Sequence, residues 1–99
     1  MKIPELTNDM ITNYLKLDEY SSMEKSEQEM IDVVKEAAFS YIQAETGLTT
    51  EVIESKDDLT VAYLALCQDM YDNRAYQIDK NTVNNTVDII LSRHRVNLV

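Results

Sequence analysis

The chain has 99 residues, 18 of them acidic and 9 basic, for a net charge of −9 at pH 7, with a single Gly, a single Pro and a single Cys. That length holds one compact core, and an apolar content of 44% is that of a globular domain, not of an acidic disordered tail. One Gly and one Pro leave too few turn-formers for an all-β fold, and the acidity excludes a free-standing nucleic-acid binder, whose affinity comes from clustered Lys and Arg.

Pro4 precedes the first periodic segment, where Thr7 or Asn8 is placed to cap a short helix with Met10, Ile11, Tyr14, Leu15 and Leu17 as its apolar positions. Asp18-Glu19-Tyr20-Ser21-Ser22 reads as a polar connection. In the next segment Met30, Ile31, Val34, Ala37, Ala38, Tyr41 and Ile42 recur at steps of three and four, one stripe of an α-helix. Ser21 with Glu24, or Ser26 with Glu29, has capping-box spacing near its start. Gly47 stands where a left-handed residue ends a helix. Taken from about Met23 to Thr46, the helix is roughly 35 Å long at about 1.5 Å per residue.

Leu48 to Lys56 is a link rich in Thr and Glu, with Thr50-Glu51-Val52-Ile53 as a short extended piece. The third segment opens at Asp57-Asp58, whose carboxylates suit a helix N-terminus. Its seam is Leu59, Tyr63, Leu66 and Met70, flanked by Ala62, Ala65 and Cys67, and it runs toward Gln77. Apolar residues cover nearly the whole circumference between Val61 and Cys67, so this is the expected central helix. After a polar stretch from Asp79 to Asn85, Asn84 or Asn85 is placed to cap a last helix buried through Val87, Ile90 and Leu91. Arg93-His94-Arg95 falls at its last turn, where cations complement the helix dipole, and Val96-Asn97-Leu98-Val99 is an apolar end with no evident place in the core. The expected architecture is all-α: a small bundle of two long and two short helices (residues 1–92) with an extended C-terminal tail (residues 93–99).

Charge is uneven along this layout. Residues 1–50 carry ten acids and four Lys, whereas the final ten residues hold two Arg and no acid. An enzyme is not expected. Cys67 lies inside the apolar run and reads as a core residue, His94 has neither Cys nor a second His for a metal site, and one Gly cannot build a phosphate loop. No cofactor is implied. The N-terminus shows no apolar signal core, and the longest apolar run, seven residues from Val61 to Cys67, is far short of the roughly 20 that span a bilayer. Two features carry more than composition. Tyr71 and Arg74, in Met70-Tyr71-Asp72-Asn73-Arg74, form an amphipathic patch at the exit of the third helix. The tail from Arg93 to Val99 combines apolar anchors (Val96, Leu98, Val99) with charge contacts (Arg93, Arg95), the composition of a partner-binding segment.

The order of these motifs resembles the small head–tail connector, or adaptor, proteins of long-tailed double-stranded DNA bacteriophages. Leu15-Lys16-Leu17-Asp18 is similar to the family's opening helix and acidic step. Ala37-Ala38, Tyr41-Ile42 and Thr46-Gly47 are similar to the "AA…YI…TG" ending of its long helix. Ala62, Leu64, Leu66 and Tyr71-Asp72-Asn73-Arg74 are similar to its "A.L.L…Y.NR" pattern, and Arg95 near the end of the last helix also fits. Where the family commonly has a Pro-containing turn before that helix, this chain has Asn84-Asn85. The resemblance implies a homo-oligomeric ring of about a dozen copies under the portal vertex, joining the capsid to a neck, stopper or tail-completion protein. It places the protein in the virion neck, and in the host cytoplasm during assembly. The C-terminal segment then reaches the portal protein through Arg93, Arg95 and Val96 to Val99, and Tyr71 and Arg74 take structural or subunit-contact roles. DNA passes without specific binding. The acidic stretch with Asp18, Glu19, Glu24, Glu27 and Asp32 is the candidate exposed or lumen face, repelling duplex within a Debye length of about 8 Å; simple solubility is the other reading of the same acids. A rival from another class is an acidic DNA mimic that occupies a nucleic-acid-binding partner.

Overall fold

The computed structural model describes residues 1–73 and 85–95, and among them the chain is helical with no strand. A 3₁₀ turn at Ile3–Glu5 leads into helix α1, Asn8–Tyr14, and a second 3₁₀ turn at Tyr20–Ser22 leads into α2, Lys25–Thr46. Helices α3, Thr50–Glu54, α4, Asp57–Asn73, and α5, Asn85–Ser92, follow. The all-α class is therefore as expected, with α2 and α4 long and α1 and α5 short. The plan of four helices is corrected by α3. The expected continuation of α4 to Gln77, Arg74, the cap at Asn84 and the tail residues Val96, Leu98 and Val99 lie outside the described residues.

Local chemistry accounts for each boundary. Thr7, not Asn8, caps α1: its Oγ1 accepts the Met10 amide at 3.1 Å. The helix stops early because Lys16 takes a left-handed φ of 60°. The Lys16 amide then donates to the Asn13 carbonyl at 3.0 Å and the Leu17 amide to the Thr12 carbonyl at 2.9 Å, the bond pair of a Schellman ending. Leu17 thus falls outside the helix, and the buried face is Ile11, Thr12 and Leu15. Met10 and Tyr14, expected in the core, are 43% and 41% exposed. A helix of under two full turns buries one i, i+4 pair and turns its other positions outward.

Neither capping box forms at the start of α2. Its N-cap is Glu24, with no side-chain cap bond. The entry is fixed instead by the preceding turn, where the Tyr20 amide donates to Asp9 Oδ1 at 3.0 Å and Gln28 Nε2 donates to the Tyr20 carbonyl at 2.7 Å. Ile31, Val34, Ala38, Ile42 and Thr46 are buried along one stripe, with Met30, Ala37 and Tyr41 half-buried beside it. Gly47 ends α2 at φ 73°, its amide donating to the Gln43 carbonyl at 2.8 Å.

The link expected to hold an extended piece is helical. Thr49 Oγ1 accepts the Val52 amide at 3.4 Å, and α3 is pinned by one buried side chain, Ile53. Helix α4 then runs through the middle. Leu59, Ala62, Leu66 and Cys67 have no exposed surface, and α1, α2, α3, α5 and the first 3₁₀ turn all pack on this helix. Its circumference is not wholly covered, since Val61 is exposed. On α5 the buried residues are Val87, Ile90 and Leu91, as the periodicity predicts.

Two substitutions test these assignments in urea melts. Lys16→Gly relieves the left-handed penalty at a Schellman position and should stabilise by about 0.5–1 kcal/mol, net of the added unfolded-state entropy. Leu66→Ala, at a site with no exposed surface, should cost about 2–5 kcal/mol. A Lys16→Gly protein no more stable than the parent would contradict the α1 ending.

Candidate functional site

The charged residues gather where the last turn of α5 meets the start of α4 and the end of α2. The chain turns after Ser92 through amide bonds from Arg93 to the Ile90 carbonyl, 3.2 Å, and from His94 to the Leu91 carbonyl, 3.0 Å. This aims the His94 ring at the first turn of α4, where Nε2 lies 2.7 Å from Asp58 Oδ2. Arg95 reaches the other way, its Nη2 lying 3.1 Å from Asp88 Oδ1 on α5 and 3.6 Å from Glu45 Oε2 near the end of α2. The start of the chain meets the same turn of α4. The Met1 ammonium and Lys2 Nζ lie 3.6 Å and 3.5 Å from Asp57 Oδ1, and Thr60 Oγ1 donates to the Met1 carbonyl at 2.7 Å.

The electrostatics follow from this geometry. Burial pushes the Asp58 carboxyl upward, but the hydrogen bond and charge of His94, with the backbone amides of Asp58 and Leu59, outweigh it and hold the group below its ordinary 3.8. Burial raises the Tyr41 phenol, and the charge and hydrogen bond of Glu45 raise it further. Cys67 is inert by the same reasoning: burial pushes its thiol up to about 12, against smaller lowering effects from the Tyr63 hydrogen bond and the Lys35 charge.

The expected site residues fare unequally. Arg93 is exposed. Arg95, expected to meet a partner, is engaged within the chain by Glu45 and Asp88. Val96, Leu98, Val99 and Arg74 lie outside the described residues. Tyr71 is half-buried at the edge of the core, lining a groove with Ser26, Glu27 and Met30. Asp18, Glu19, Glu24, Glu27 and Asp32 are all exposed, but they do not form one stripe. Glu24 is the N-cap of α2 and Glu27 lies in its first turn, whereas Asp32, five residues past Glu27, lies about 140° round the helix at about 100° per residue. Asp32 also accepts the Tyr20 hydroxyl, at 3.4 Å to each carboxylate oxygen.

Nothing in the local sequence marks Asp58, Glu45 and Asp88 as partners of His94 and Arg95. Asp58 was visible only as a favourable helix-start acid, and its bond to His94 spans 36 residues of sequence, beyond any local pattern. Among the described residues no helix is long and apolar enough to cross a membrane, and no three His, Cys, Asp or Glu side chains are grouped to hold a metal ion. No family model, curated protein or solved structure matches the chain.

A carboxyl whose folded pKa is depressed stabilises the fold above its unfolded value and loses that contribution as pH falls through the folded one. Asp58→Asn should therefore lower stability at pH 7 and flatten the loss seen below about pH 4. With the Asp58 side chain 39% exposed, the neutral-pH cost is about 1 kcal/mol or less. Urea midpoints from pH 3 to 7 measure both effects. For Cys67, at pH 8 a thiol near 12 leaves a thiolate fraction on the order of 10⁻⁴. An aromatic disulfide reagent should label it only on unfolding, and rapid native labelling would contradict its placement.

Proposed function

We propose that the chain is a non-enzymatic head–tail connector of a long-tailed bacteriophage. In this reading it assembles as a ring beneath the portal vertex and joins capsid to neck or tail, with its C-terminal segment as the portal-binding element. The observation that carries the reading is at the chain's end. The residues leading into the tail are held against one end of the helical bundle by His94–Asp58 and Arg95–Glu45, and an apolar stretch, Val96-Asn97-Leu98-Val99, follows directly. A short apolar segment that follows an anchored point in the sequence is suited to a partner's groove. The ordered motifs of the helices support the same reading.

The net charge of −9 fits a channel component. A ring multiplies it by the number of copies into a collar that carries few clustered cations for phosphate, so DNA slides past without being retained. An acidic DNA mimic is favoured less, since mimicry of a duplex calls for acids in ordered rows and Glu27 and Asp32 face different sides of α2.

The test uses the full chain and a variant ending at Arg95, mixed with the portal protein encoded alongside it and imaged by negative-stain electron microscopy. The full chain should add a ring of density to the portal. The truncated chain should keep its helical circular dichroism and melting midpoint yet fail to join. A full chain that stays monomeric and never binds the portal overturns the reading, and displacement of DNA from a nucleic-acid-binding protein would replace it with the mimic.

A further inference from the structure

We propose that residues 1–15 form an arm that two copies of the chain exchange, each arm seating on the other copy's body across an opened hinge at residues 16–19. The arm carries the first 3₁₀ turn and α1, and both pack on α4, with Ile11 and Leu15 buried. Its polar contacts reach far along the sequence. Thr60 Oγ1 donates to the Met1 carbonyl at 2.7 Å, Lys2 Nζ lies 3.5 Å from Asp57 Oδ1, and Lys35 Nζ donates to Asn8 Oδ1 at 2.7 Å. Contacts between groups 27 to 59 residues apart do not require both partners to belong to one chain. The seat therefore accepts the same arm from a second copy. Beneath it, α2, α4 and α5 pack on one another through Ile31, Val34, Leu66, Val87 and Leu91, so the body keeps a core of its own.

The hinge supplies the reason for exchange. Lys16 stands at φ 60°, a conformation strained for any residue with a Cβ. Lys is also a good helix former, and the apolar spacing carries α1 on to Leu17, so the closed turn runs against local preference. Opening returns Lys16 to an ordinary φ. The cost is the two bonds from the Lys16 and Leu17 amides to the Asn13 and Thr12 carbonyls, which water or a continued helix replaces. The turn also stands off the helix it follows: a groove of about 320 Å³ is lined by Asp9, Met10, Asn13, Leu17 and Glu19. A short strained hinge beside an intact seat favours exchange. Because an exchanged pair remakes the contacts of two closed chains, two relaxed hinges stand against the entropy of association. The pair belongs to high protein concentration. This goes beyond the connector reading, since the partner is a second copy and no portal enters the test.

Cross-linking of mixed variants reads the exchange directly. Full-length Asn8→Cys and Lys35→Cys chains are incubated together at about 1 mM, diluted to about 1 μM so that chance encounters are rare, and treated at once with a short bis-maleimide. Cys67 is buried and does not compete. A covalent pair containing one chain of each kind is expected, because only exchange sets position 8 of one chain beside position 35 of the other. Adding Lys16→Gly to both chains relieves the closed hinge twice per pair and should lower the yield about ten-fold. No mixed pair, or a yield that Lys16→Gly leaves unchanged, overturns the exchange. Sedimentation equilibrium of the unsubstituted chain is the second measurement: a dimer is expected at about 1 mM, and a strict monomer there overturns the proposal whatever the variants do.

Discussion

The structure depends on the burial of one helix. Leu59, Ala62, Leu66 and Cys67 of α4 are cut off from water entirely, and every other helix rests on the surface they define. Helix α2 meets it along a full stripe, Ile31, Val34, Ala38 and Ile42, whereas the shorter helices are held by narrow contacts: α1 by Ile11 and Leu15, α3 by Ile53, α5 by Val87, Ile90 and Leu91. The first turn of α4 then becomes the point where the chain's two described extremities converge. Asp57 takes the Met1 ammonium and Lys2, and Asp58 takes His94. Acids at a helix N-terminus are favoured by the helix's own dipole. Here they also pair with groups brought from both directions along the sequence, Asp57 with the Met1 ammonium and Lys2 and Asp58 with the His94 ring, so one motif serves two purposes.

What was legible in the sequence was whatever repeats with the helical period. The stripe of α2, the seam of α4 and the buried face of α5 follow from spacing alone, because a face that must leave water is written every three or four residues. What was not legible falls into two physical kinds. The first is backbone conformation at non-glycine residues: nothing in Leu15-Lys16-Leu17 announces that Lys16 adopts a left-handed φ, so α1 seems longer in sequence than it is in space. The second is competition between propensities. Thr50-Glu51-Val52-Ile53 has the β-branched content of a strand, but with no strand among the described residues to pair with, one Thr49 cap and one buried Ile53 suffice for a turn of helix. The charged cluster at the tail belongs to neither kind, being a product of tertiary placement.

That cluster and the core differ in energetic scale. Removing a large buried side chain from a core of this sort costs about 2–5 kcal/mol, whereas an exposed ion pair contributes about 1 kcal/mol or less. The body of the bundle and the root of its C-terminal segment thus answer to different perturbations. Screening by salt reaches the exposed pairs at a strength that leaves α4 and its neighbours intact. The chain's acidic surplus supplies the carboxylates that meet its last described basic residues, Asp58 for His94 and Glu45 and Asp88 for Arg95.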